Sequence, residues 1–259
     1  MTTLVHPAAF VDERAALGQG VEIGPGAVIG PDVRVGDRTR VGSHALLTGW
    51  TRIGNGCRIH HGAVLGSPPQ DLKYEGGAPS FLEIGDHTEI REYVTANLAT
   101  EAGATTRIGH HCLLMAYAHV AHNCQIGDHV ILANAVQMAG YVTIEDWAIV
   151  GGGTVIHQFT RIGRHSMIGG GSRIPQDVAP FVKLAGSPPR LGGLNLVGLE
   201  RRGLSKPTCD ALGRAYRILF RQQLTVADAV ARMRQELPGI PEVEHLARFA
   251  ETSVRGLSR

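Results

Sequence analysis

The sequence is poor in large rings: only 5% of its 259 residues are aromatic, while 34 are glycine. A conventional globular core carries more aromatic bulk, so this balance points to short strands and tight corners repeated many times. Long apolar runs are missing too. No stretch of 18 consecutive apolar residues occurs, which argues against a membrane span. The opening MTTLVHPAAFVDERA has no basic segment followed by an apolar one, so no secretory signal is expected. The four cysteines, Cys57, Cys112, Cys124 and Cys209, show no CxxC spacing. That pattern offers no disulfide framework and fits reduced thiols in the cytoplasm. Charge excess is small as well. A net +2 is too little to suggest a nucleic-acid partner. It is unevenly spread: from Leu191 onward 11 Lys and Arg stand against 7 Asp and Glu, while the rest carries 14 against 16. A basic C-terminal segment suits an acidic partner or an ordinary solvated helix face.

What is present is a period of six. From Val5, steps of six meet Val11, Leu17, Ile23, Ile29, Val35, Val41, Leu47, Ile53, Ile59 and Leu65, all aliphatic. The residue after them is often glycine, as at Gly18, Gly24, Gly36 and Gly42. A second phase starts at Ile84 and Ile90, pauses near Ala96 and Ala102, and continues from Ile108 to Ile174. Six is neither a helical nor a simple strand period. Repeats this short build a parallel β-solenoid, with about three six-residue sides to an 18-residue coil. Stacked coils, spaced by about 4.8 Å, bury a continuous apolar column. Glycine is expected to relieve crowding and to permit unusual corner dihedrals. Residues 1–190 read as this column, interrupted by projecting loops at Ser67–Phe81 and at about 97–105. Surface insertions are tolerated cheaply, yet loops on rigid scaffolds often carry function. Residues 191–259 read as a small helical domain. Ser205 is the expected N-cap of a helix reaching Gln222, Thr225 caps a second through Leu237, and Pro241 opens a third towards Val254.

An 18-residue coil places Gly140 and Gln158 in register with His122. An imidazole, a bare backbone amide and a side-chain amide then share one edge. Acyl transfer needs a base near the attacking hydroxyl and a donor facing the oxyanion. His122 and the Gly140 N–H could fill those roles, although exposed histidines on such a scaffold are often idle and this chain has 13. His119 lies three residues earlier in the same stretch.

The repeat resembles that of the hexapeptide-repeat acyltransferases, which implies a left-handed coil against the usual crossover rule. The strings QDLKY, AHVAHNCQIGDHVILAN, GGGTVIHQF and NLVGLERRG together resemble the UDP-N-acetylglucosamine 3-O-acyltransferase family over nearly the whole chain. The resemblance implies a left-handed parallel β-helix with a small C-terminal α-helical domain. It implies transfer of a 3-hydroxyacyl group from acyl carrier protein to a UDP-amino sugar, the first step of lipid A synthesis, in a homotrimer without a cofactor. It assigns His122 as general base and Gly140 as oxyanion donor. Gln70, Asp71 and Lys73 fall on a loop reaching the sugar nucleotide at a neighbouring subunit. His119, His157 and Gln158 match pocket residues; Asn195, Arg201 and Arg202 match the uridine and phosphate region. Two positions depart from the pattern. Asn123 follows the base where aspartate is common, and Tyr141 follows Gly140 where histidine is common. Gly170, in a run of three glycines, falls where the acyl groove should end and leaves room for a long chain.

Other readings use the same fold. A zinc enzyme like the γ-carbonic anhydrases needs three histidine ligands, and the spacing of three between His119 and His122 does not match that family. A coenzyme A-dependent acetyltransferase would more often end in a short extension. A 3-amino sugar acceptor and a non-catalytic binding platform complete the alternatives.

Overall fold

The computed structural model describes residues 2–259. Each six-residue unit contributes one short strand, such as Glu22–Ile23, Val28–Ile29 and Arg34–Val35. Every third strand pairs in parallel, Leu4 with Glu22 and Val5 with Ile23, so a coil closes in 18 residues. Three sheets of 11, 9 and 8 strands result. They wrap into a left-handed parallel β-helix that ends in a small helical region.

Alternation within each strand explains its placement. Arg34 is exposed while Val35 is 3% exposed. A second inward column runs two residues ahead of the aliphatic one: Val21, Ala27, Val33, Thr39, Ala45 and Thr51 are all buried. Threonine is tolerated because its hydroxyl finds a backbone acceptor in an adjoining side, as Thr39 does on Gly54 O at 2.8 Å. All four cysteines are buried free thiols, and burial pushes Cys124 up to about 12.

Most glycines after the aliphatic positions answer to crowding, although Gly66 also takes a left-handed φ of 84°, and corner glycines such as Gly26 (φ 67°) and Gly62 (φ 66°) do permit left-handed dihedrals. A Cβ on Gly36 would lie 2.6 Å from the Gly54 carbonyl carbon, and its φ is ordinary. Left-handed corner dihedrals fall on other residues too, among them Asn123 (φ 61°) and Tyr141 (φ 59°). Each coil turns three corners; in one coil these are at Tyr117, Asn123 and His129. Corner side chains stack along the prism, as Tyr141 does on Phe159 at 4.9 Å and His129 on Trp147 at 3.7 Å.

Two insertions alter the count. Arg58 pairs with Glu89, 31 residues on, and Thr95 pairs with His119, 24 on, so the extra residues leave the prism without breaking the ladder. The column is uneven at its ends. Val5, with no coil beneath it, is 44% exposed, whereas Leu132 in mid-column is fully covered. Phe181, Val182 and Leu184 close the other end.

The stretch after Pro180 holds more structure than its pattern suggested. Val182–Gly186 and Pro189–Leu194 form an antiparallel pair, so one strand runs across position 190. Helix α1, Leu196–Arg201, follows. A six-residue helix and a glycine-rich strand are too short to impose a readable period. Helices α2 (Lys206–Arg221), α3 (Val226–Glu236) and α4 (Pro241–Glu251) come next. Ser205 and Thr225 cap α2 and α3 by accepting the N–H groups of Thr208 and Asp228. The helices bury Leu212, Tyr216, Met233, Leu246 and Phe249. They are fastened to the last coils: Arg161 lies over the Phe249 ring at 4.2 Å, and His245 Nε2 is 2.7 Å from Glu145 Oε2. Among the described residues no helix is long and apolar enough to cross a membrane.

Candidate active site

The Asn123 corner carries the stack expected from the coil length. The Tyr141 N–H donates to His122 O at 3.0 Å and the Phe159 N–H to Gly140 O at 3.3 Å, so His122, Gly140 and Gln158 occupy equivalent places in successive coils. The His122 ring lies directly against Gly140. A Cβ there would be 2.4 Å from the ring's Cε1 and 2.6 Å from Nε2. Only glycine leaves space for the imidazole in this position. His122 is 6% exposed, and Tyr141 meets it edge-on at 5.4 Å. Among the described residues no acceptor meets the Gly140 N–H.

The neighbour of His122 sets its protonation pattern. His122 Nδ1 lies 3.0 Å from Asn123 Oδ1. That oxygen also accepts the Thr100 N–H at 3.1 Å and the Thr100 hydroxyl at 2.8 Å. A backbone N–H can only donate, so the atom facing Thr100 must be the amide oxygen. Nδ1 of the neutral ring therefore carries the hydrogen, and Nε2 is left with a free lone pair. Nε2 is 4.0 Å from Asp71 Oδ2.

Asp71 belongs to the first insertion, which folds back over the His122 edge of its own chain. A reach to another copy is not needed for Asp71 to meet His122. The two insertions hold one another: Asn97 Nδ2 donates to Pro68 O at 3.0 Å, and the Gly103 N–H donates to Pro79 O at 2.8 Å. Gln70, Asp71, His119, His122, Gly140 and Gln158 line an open groove of about 490 Å³. A hollow beside it takes in Lys73, Tyr141 and Glu101, and shares Asp71 and Gln158. His119 is bonded through Nδ1 to Thr95 Oγ1 at 2.7 Å. Burial, followed by the nearby His122, lowers its pKa, so it stands in the groove as a neutral ring.

The remaining expected residues lie elsewhere on the prism. His157 is exposed at the same edge, its Nδ1 3.0 Å from Gln158 O, and is outside the groove lining. Gly170 occupies the Tyr117 corner, across the face that carries His119 and Gln137, and packs on Gly152. Asn195, Arg201 and Arg202 lie towards the His129 corner. Asn195 is buried and donates to His165 O at 3.0 Å. Arg202 stacks over Trp147 at 4.1 Å, and Arg201 ends helix α1. One chain thus brings together His122, Gly140, the first insertion and Gln158, but not the basic pair.

Three residues of the groove and the hollow beside it escaped the sequence reading. Gln137 is in register with His119, so stacking arithmetic could have found it. Thr100 and Glu101 lie in the second insertion, where that arithmetic does not apply.

Comparison with known proteins bears on this geometry. A family model described as Udp N-acetylglucosamine O-acyltransferase, domain 2, matches residues 177–258. One described as bacterial transferase hexapeptide (six repeats) matches residues 14–49 and 105–140. The acyl-[acyl-carrier-protein]–UDP-N-acetylglucosamine O-acyltransferase of Chlamydia muridarum is 54% identical over 99% of this chain and 92% of its own. The protein of that name from Thermodesulfovibrio yellowstonii is 46% identical over 98% of this chain and 99% of its own. The structure of LpxA from Acinetobacter baumannii, 43% identical, matches with a TM-score of 0.95 and covers 99% of this chain and 100% of that one. Coiled hexapeptides closed by a helical end, with these relatives, define an acyltransferase. The chain belongs to the acyl-[acyl-carrier-protein]–UDP-N-acetylglucosamine O-acyltransferase family.

Proposed function

We propose that the protein moves a 3-hydroxyacyl group from acyl carrier protein to the 3-hydroxyl of UDP-N-acetylglucosamine, the opening step of lipid A synthesis in the cytoplasm. The observation that carries this reading is the free Nε2 of a buried, oriented imidazole lying against a glycine whose N–H has no partner. His122 Nε2 takes the proton of the sugar hydroxyl as its oxygen attacks the thioester carbonyl carbon. The carbonyl oxygen becomes an oxyanion and accepts the Gly140 N–H. Collapse reforms the carbonyl and breaks the carbon–sulfur bond. The departing thiolate takes the proton from the imidazolium, which returns His122 to its starting state. Proximity supplies much of the remaining rate. Asp71, Gln70, Lys73, His119 and Gln158 surround the place where the sugar would sit, and the flat face running to Gly170 is the path for the acyl chain.

Separation of His122 from Arg201 and Arg202 within one chain supports a homotrimer. A neighbouring copy would present its His129 corner, and with it Asn195 and the arginines, to the groove. Light scattering at micromolar concentration should give three times the chain mass; a monomer would refute the assembly. Incubation with UDP-N-acetylglucosamine and a panel of 3-hydroxyacyl carrier proteins, followed by mass spectrometry, tests the reaction. His122→Ala should lower turnover by about 10²–10⁴-fold, the usual contribution of a general base. A folded His122→Ala protein with near-normal turnover would require another base.

A further inference from the structure

The second insertion sets a carboxylate behind the partner of His122. Glu101 Oε2 accepts Asn123 Nδ2 at 2.7 Å. Glu101 Oε1 accepts the Tyr141 hydroxyl, which also lies 3.1 Å from Thr100 Oγ1. We propose that Glu101 is a positioning residue for the acyl transfer: it holds the Asn123 amide with its oxygen towards His122 Nδ1 and lends its negative charge, through that amide, to the imidazolium of the transition state. The proposal rests on the reading of His122 as the base.

The chemistry follows from what asparagine lacks. A carboxylate beside an imidazole is symmetric and charged; it orients the ring whichever oxygen faces it, and it stabilises the imidazolium directly. An amide is asymmetric and neutral. Turned over, Asn123 would present its NH₂ to the Nδ1–H of His122 and to the Thr100 N–H, placing donors against donors. Two contacts prevent this. Thr100 grips the oxygen side and Glu101 grips the nitrogen side. The charge that asparagine does not carry stands one hydrogen bond further out. Tyr141 completes the clamp. The hydrogen bond from its hydroxyl, then the one from the Asn123 amide, hold the Glu101 carboxyl below its usual pKa against the opposing effect of burial, so it is ionised at neutral pH. Asn123 and Tyr141, at one corner of successive coils, are thus both bonded to the same glutamate.

This arrangement predicts an interaction of opposite signs. With Glu101 present, Asn123→Asp would set a carboxylate oxygen where the amide nitrogen now donates, and the two anions would repel. Without Glu101, the same substitution would supply orientation and charge directly. Turnover and Michaelis constants should be measured for Glu101→Gln, Glu101→Ala, Asn123→Asp, the Glu101→Ala/Asn123→Asp double variant and His122→Ala, each shown to be folded by circular dichroism. Glu101→Gln keeps the hydrogen bonds, since its carbonyl can accept from Asn123 and its NH₂ can donate to Tyr141, but it removes the charge. It should lower kcat by about 3-fold or more, and Glu101→Ala by about 10-fold or more, with KM for UDP-N-acetylglucosamine little moved, because the lost interaction strengthens in the transition state. Asn123→Asp alone should be slower than wild type, and the double variant should be faster than either single one. Wild-type kcat in both Glu101 variants, or equal effects of Asn123→Asp with and without Glu101, would overturn the proposal while leaving the His122 assignment intact. Near-normal turnover in His122→Ala would overturn the base assignment and the positioning role together.

Discussion

The contact between His122 and Gly140 makes Gly140→Ala an informative substitution. The backbone N–H remains, so an oxyanion donor is not deleted, and the φ of residue 140 lies outside the left-handed region, so alanine brings no dihedral penalty. What it adds is one methyl group, 2.4 Å from the ring's Cε1 and 2.6 Å from Nε2. Ordinary contact begins near 3.4 Å. The ring must therefore retreat by about 1 Å, and a misplacement of that size costs about 10²-fold in rate. The ring is almost wholly buried and tied to Asn123, so its retreat also strains the fold. Overpacking of this kind costs about 1–3 kcal/mol. Steady-state kinetics with UDP-N-acetylglucosamine and acyl carrier protein should show the loss in kcat, and urea denaturation should show the loss in stability. A double-mutant cycle isolates the cause. In a His122→Ala background the space is empty, so Gly140→Ala should cost little, and the coupling should reach about 1 kcal/mol, within the range seen for residues in contact. Full activity in Gly140→Ala, or a stability cost that persists after His122 is removed, would refute the stacked geometry.

Other consequences follow from the same contacts. Burial alone would raise the Glu145 carboxyl, but the hydrogen bond and charge of His245, the Arg164 N–H and Arg161 outweigh it and hold the group below its usual 4.5. A depressed carboxyl stabilises the fold fully above its unfolded value, and that contribution disappears as pH falls through the lower folded value. Melting temperature should therefore drop below about pH 4.5 in the wild type and fall less in Glu145→Gln; parallel curves would show that this tie between helix α4 and the coils carries no such linkage. Replacing Arg201 or Arg202 with alanine should raise KM for the UDP-sugar if either holds its phosphates, because such a contact persists through the reaction. If neither moves that constant, the pair is a solvated or stacking face, as the Trp147 contact of Arg202 would suffice to explain. Arg214, Arg217 and Arg221 are exposed on helix α2 with no carboxylate partner among the described residues. Their triple replacement should slow encounter with acyl carrier protein at low salt and converge on wild type at high salt; a salt-independent rate would refute docking there.

Much of the fold was legible because one physical constraint recurs in every coil. A prism side has room for one large inward residue, and that residue must be apolar, so the period survives wherever the column continues. Stacking arithmetic then carried over to His122, Gly140 and Gln158, since all three occupy the same corner of successive coils. Asn195 and Arg202 were harder. Their places depend on a short antiparallel pair and a six-residue helix, elements held by tertiary contact more than by their own pattern.

The least legible residues are those that hold the partner of His122. Thr100 and Glu101 sit in an insertion whose residues have no fixed register with the prism, and their position comes from contacts across 22 to 41 residues with Asn123 and Tyr141. An asparagine beside the base looks from the sequence like the loss of a charge. In the folded chain a carboxylate from another loop, Glu101, accepts the Asn123 amide whose oxygen faces the ring. Insertions are free to change because they lie outside the repeating column, while the coils beneath them must keep their shape. A substitution on the rigid edge can therefore be answered by one in the adjacent loop. The scaffold fixes where His122 and Gly140 stand, and the loops tune what surrounds them.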